Sequence, residues 1–226
     1  GFKLERRIDC AEISREHLNK FLDARIKEVA TPEEIRAEEL TLKKFGLAPP
    51  EFNLARTTVD LLTEQAIAFY DYRKHKLFVT ESAPSATREA ALVHEIAHAL
   101  ADQRFNLDRY LRQARKSDDG ALARMAVMEG QATWLMSEYL AERMGQSLGT
   151  SPELAAMMSR SAESVTGQYP VFEGVPLYMR ETLLFPYGKG MLFQQAVYLK
   201  LRAAAFAEVF RHAPVSTQQV IHPEKY

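Results

Sequence analysis

The sequence predicts an α+β protein that is mostly helical, on three observations. Apolar residues recur at helical spacing through most of the chain. β-type runs are confined to a short stretch, residues 66–80. Capping signals stand ahead of several helical segments. The 226 residues, 46% hydrophobic and 26% charged, suffice for one compact domain with a sizeable core, and residues 1–226 are read as a single unit.

Taken in order, residues 1–13 alternate loosely and read as a short strand. Ser14 then caps a helix to about residue 30, whose apolar stripe is Leu18, Phe21, Leu22, Ile26 and Val29. Thr31-Pro32-Glu33-Glu34 carries a capping box with Pro at the first helical position, and Gly46 ends the helix that follows. Pro49-Pro50 makes a stiff connection to a helix over residues 53–65. Residues 1–50 thus form an N-terminal helical layer, read either as packing or as a segment that blocks a cleft. Residues 66–80 form a hairpin whose basic tip, Arg73-Lys74-His75-Lys76, is a solvated turn.

The next helix covers residues 84–105, with Ser82 or Ser85 as its cap and Pro84 in its first turn. A polar turn at Lys116-Ser117-Asp118-Asp119-Gly120 precedes a helix over residues 121–144, capped by Asp118 or Asp119. Residues 151–163 are helical and residues 167–176 a loop rich in breakers. A short helix over 177–185, a turn at Pro186-Tyr187-Gly188-Lys189-Gly190 and a long or broken helix over 191–210 lead into an irregular tail.

Composition narrows the function. With 29 basic and 30 acidic residues the net charge is -1, so nothing global favours nucleic acid or an anionic membrane surface. No apolar run reaches membrane-spanning length. Cys10, the single cysteine, excludes an internal disulfide and a Cys-based metal site. The polar N-terminus is no signal peptide; a chain numbered from Gly leaves a removed leader open, and with it a secreted or periplasmic location.

The stretch that carries chemistry is His94-Glu95-Ile96-Ala97-His98, on the helix over residues 84–105. Spacing of i and i+4 puts His94 and His98 one turn apart on one face, where both imidazoles reach a single cation. Glu95 is rotated by about 100° from His94, beside the cation, where it can take a proton from a water. Val93, Ile96, Ala97, Ala99 and Leu100 surround the motif with uncharged side chains. The bland alternative is a chance placement of two His and a Glu on a solvated or core face.

His-Glu-x-x-His with these flanks resembles the zinc metallopeptidases called zincins. The resemblance implies a zincin-like fold, a bound Zn²⁺, Glu95 as general base and a peptide or protein substrate. In the gluzincin branch a Glu followed by a small residue on a later helix is the third ligand, and Glu129-Gly130 matches that pattern. Glu129 follows the apolar Ala126-Val127-Met128, where a carboxylate is costly unless paired or metal-bound; the alternative partner is Arg124. Gly130 and Ala132 would let the two ligand helices approach closely.

Asp102 shares the ligand face of His98, but residues 94, 98 and 102 of one straight helix cannot wrap a tetrahedral ion, so capping or support of a ligand suits it better. Thr133 departs from the pattern of many gluzincins, which carry an Asp there that orients a ligand His. The resemblance also implies an edge strand that holds substrate, placed on the hairpin at Phe69 and Tyr70, and an oxyanion donor. Tyr187 is the first candidate for that donor, then His222 and Tyr178. Hydrolysis of peptide bonds is one expectation; a catalytically silent zincin-like binding or scaffold module is the other.

Overall fold

A computed structural model describes residues 2–81, 85–163 and 169–226. The chain is mostly helical, with one small sheet. In order it forms β1 (Asp9–Ile13), α1 (Arg15–Val29), α2 (Pro32–Lys44), α3 (Leu54–Gln65), β2 (Ala68–Asp71), β3 (Lys76–Thr80) and α4 (Ser85–Phe105). Then follow α5 (Leu107–Arg112), α6 (Asp118–Arg143), α7 (Pro152–Glu163), α8 (Pro170–Gly174), α9 (Leu177–Leu201), α10 (Ala205–Arg211) and α11 (Thr217–Ile221).

The sheet has three strands in the order β1-β3-β2. β1 runs parallel to β3, pairing Asp9 with Lys76 through Ile13 with Thr80, so the N-terminal segment contributes a strand as well as helices. β2 pairs antiparallel to β3 and forms the other edge. The Thr80 N–H donates to the Ile67 carbonyl, which sets the alternation: residues 69 and 71 pair with β3, and the N–H of Tyr70 points outward. Phe69 stacks between Phe21 of α1 and Phe78 of β3, tying the helical layer to the hairpin.

The early caps form as their residue types dictate. Ser14 accepts the His17 N–H, and Thr31 and Glu34 form the reciprocal capping box. Ser82 and Pro84, expected to start the motif helix, lie outside the described residues. α6 begins three residues before the predicted start and is capped by Ser117, whose Oγ accepts the Gly120 N–H; Asp118 and Asp119 fall in its first turn instead of capping it. The stretch expected as a loop over 167–176 contains α8, with Pro170 at its first position.

The main correction concerns Pro186. A turn was expected there, yet α9 runs unbroken from Leu177 to Leu201 with Pro186 inside it. An interior proline removes a backbone donor and costs about 3 kcal/mol. Burial offsets that cost, because α9 packs against α6 and α7 and buries Pro186, Gly188, Gly190, Met191, Phe193, Gln194, Gln195 and Val197. One buried polar side chain is fully matched: Gln195 accepts from Trp134 Nε1 at 2.6 Å and donates to the Leu148 carbonyl at 2.8 Å, whereas Gln194 Nε2 has no partner among the described residues. The helix ends where Arg202 takes a positive φ of 52°, and a short 3₁₀ turn leads into α10.

α6 and α9 cross at glycines. A Cβ on Gly190 would stand 2.1 Å from the Ala126 carbonyl oxygen, and one on Gly130 would stand 2.1 Å from the Gly190 carbonyl carbon. The close approach expected between the two ligand helices is therefore made by Gly130 to α9, not to the motif helix. Around this crossing lies the largest apolar cluster, with Ala123, Ala126, Val127, Phe193, Val197, Val209 and Phe210 all buried.

Candidate metal centre

The site is built by α4 and α6, which pack against each other so that residues 35 apart in sequence meet. His94 Nε2 lies 3.1 Å from Glu129 Oε2, His98 Nε2 lies 3.2 Å from the same oxygen, and the two Nε2 atoms are 3.0 Å apart. Their side chains are about nine-tenths buried, at 11%, 9% and 9% exposure. Among the described residues this is the one group of three or more His, Cys, Asp or Glu side chains able to hold a metal ion.

The donor set fits a divalent cation. Three potential ligand atoms converge, and wherever their lone pairs face one another they repel unless a proton or cation sits between them. Donors bonded to one tetrahedral zinc at about 2.0–2.1 Å stand roughly 3.3 Å apart, close to the spacing here. Burial pushes the Glu129 carboxyl up, but the charges and hydrogen bonds of His98 and His94 outweigh it and hold the group well below the usual carboxylate range. Arg124, the alternative partner, instead donates to the Tyr110 carbonyl and stacks on that ring.

Glu95 is buried beside the triad, and its Oε2 accepts the outward-pointing N–H of Tyr70 at 2.7 Å. Burial raises its carboxyl to about 7; the neighbouring His94 and the Tyr70 N–H act in the opposite direction, and Glu129 adds to the rise. The same strand is fixed a second time. Tyr70 Oη donates to Asp102 Oδ2 at 2.9 Å, and His75 Nδ1 lies 2.8 Å from that oxygen. Asp102 Oδ1 accepts the N–H of Leu107, the first residue of α5, whose N-cap is Asn106.

Tyr187 reaches the site from α9. Its ring stacks on His94 with centroids 6.1 Å apart, and its phenol lies within the electrostatic reach of Glu129. The Glu129 charge, then burial, then Glu95 raise its phenol well above the ordinary value, so it is a neutral donor across the physiological range. The two lesser candidates are elsewhere. His222 is half-exposed and paired with Glu224, and Tyr178 is exposed near Glu38 and Asp118.

Phe69 and Tyr70, read as substrate-binding, sit on the sheet edge nearest the site, but their side chains are engaged in the aromatic stack and the Asp102 bond. Thr133 is buried, and its Oγ1 has no hydrogen-bond partner among the described residues. The roles of Tyr70 and His75 toward α4 went unread in the sequence; the seven-residue spacing of Glu95 and Asp102, two turns on one face, was the available signal. No helix among the described residues is long and apolar enough to cross a membrane. No protein-family model, curated protein or solved structure significantly matches the chain.

Proposed function

We propose that this protein is a metal-dependent hydrolase, and more particularly a zinc peptidase of the gluzincin-like kind. The convergence of His94, His98 and Glu129, with a buried carboxylate and a neutral phenol alongside, carries the reading. His94, His98 and Glu129 hold the cation; two imidazoles and one carboxylate suit Zn²⁺. When bound, the ion supplies Lewis acidity that makes water nucleophilic near neutral pH and polarises a carbonyl.

Glu95 accepts the proton of the attacking water and passes it to the leaving amine. Tyr187 donates to the oxygen on which negative charge develops. The outward N–H of Tyr70 is already held by Glu95, so β2 is not free to pair with a peptide at that point. In these roles one face of α4 supplies ligands and base, while α9 supplies the donor.

Metal analysis of the purified protein and cleavage of a broad peptide library test the reading together. About one zinc per chain and cleavage that Glu95→Gln lowers by roughly 10²–10⁴-fold, with zinc retained, are expected. Glu129→Ala should weaken zinc binding severely. Zinc bound without cleavage of any peptide would favour the silent scaffold, and absence of tight zinc would overturn both.

A further inference from the structure

The pairing of β2 with α4 does more than close the fold. Glu95 and Asp102 lie two turns apart on one face of α4, and a single residue of β2 binds both: Tyr70 gives its N–H to Glu95 and its O–H to Asp102. Because that N–H faces away from β3, it has no ladder partner to compete for it. Asp102 is 4% exposed and held from three sides, by Tyr70, by the Leu107 N–H and by His75. His75 occupies the hairpin tip at φ 52°, a left-handed conformation disfavoured for a side-chain-bearing residue, and there its ring meets Asp102.

We propose that Tyr70, Asp102 and His75 form a clamp that positions the general base Glu95, an inference that rests on the hydrolase reading. The Tyr70 N–H fixes Oε2 of the carboxylate, leaving Oε1 for the water. The phenol–Asp102 bond sets the height of β2 over α4, and His75 pulls the hairpin tip onto the same carboxylate. All three are positioning residues; none touches the reacting atoms. A base held by one oxygen is presented in a single orientation, and catalytic geometry is sensitive to displacements of about 1 Å.

The test uses Tyr70→Phe, which deletes the O–H but keeps the ring and the backbone N–H. In the zinc-loaded protein it should lower kcat by about 10-fold, leave KM within about twofold and leave zinc stoichiometry unchanged. Amide hydrogen exchange supplies a readout that needs no turnover. A hydrogen bond to a charged group predicts that the amide at position 70 loses roughly 10-fold or more protection in Glu95→Ala, and a smaller part of it in Tyr70→Phe. The amides of Phe69 and Asp71, which pair with β3, should keep theirs. Unchanged kcat together with unchanged protection at position 70 would overturn the clamp, as would an even loss of protection along all of β2, the mark of simple loosening. A zinc-loaded wild type that cleaves no peptide would refute the hydrolase reading instead, and the exchange pattern would then decide the clamp by itself.

Discussion

Gly190→Ala tests whether the α6–α9 crossing sets the site. The added Cβ would stand 2.1 Å from the Ala126 carbonyl oxygen and 2.9 Å from its carbon, both backbone atoms that no rotamer change can move aside. Ordinary contact needs roughly another 1 Å or more, so one helix must shift bodily. Overpacking costs typically about 1–3 kcal/mol, and a backbone-to-backbone clash belongs at the upper end. With an unfolding entropy near 0.47 kcal/mol per kelvin for a chain of 226 residues, about 3 kcal/mol lowers Tm by roughly 6 °C. Tyr187 lies one turn before Gly190 and moves with α9, so on the proposed reading turnover should fall as well, while His94, His98 and Glu129 on α4 and α6 should still hold a cation. Calorimetry, metal analysis and kinetics on one preparation read all three effects. Gly174→Ala is the control: its Cβ meets nothing within 4 Å, and it should leave Tm unchanged or raise it slightly. If Gly190→Ala melts with the wild type, the close crossing is not as described and the placement of Tyr187 loses its support.

Further outcomes follow from single contacts. Tyr187→Phe should retain the cation and lower turnover by about 10²–10³-fold, the usual loss for one oxyanion donor, as measured by steady-state kinetics on the metal-loaded variant. Arg25→Ala removes the 2.6 Å ion partner of Asp71, whose side chain is fully buried, and leaves it only the Arg73 and Lys74 N–H groups; losing the counter-charge there should cost about 3 kcal/mol, visible as a lower urea midpoint. Phe193→Ala empties a fully buried position in the cluster under α9 and should cost about 3–5 kcal/mol by the same measurement.

Local rules explain how much was legible in the sequence. The caps at Ser14 and Thr31 use the next three residues only, so α1 and α2 begin where residue types place them. Pro186 defeated the same logic, because its cost is local while the packing that offsets it comes from α6 and α7, far away in sequence. The hairpin strands were legible from their composition, but the parallel pairing of β1 with β3 joins segments more than sixty residues apart and leaves no local mark.

At the site, His94 and His98 follow from helical spacing, whereas Glu129 needed both a family resemblance and the oddity of a carboxylate among apolar neighbours. The hold of Tyr70 on Glu95 was out of reach, since a backbone N–H has the same identity in almost every residue. Gly190 was misread as a turn residue; its use is the absence of a side chain at a helix crossing.

The strand β1 bears on how such a protein reaches its working form. Residues 9–13 are woven into the sheet in a five-residue register, and just before them the Gln103 side chain grips the backbone of Glu5 and Arg6. A leader that restrains an enzyme until a protease trims it must come away without tearing the body beneath. Cutting this segment off would leave the β3 edge unpaired and free the Gln103 side chain, so removal of residues 2–13 should lower Tm, a cost that any trimming there would carry.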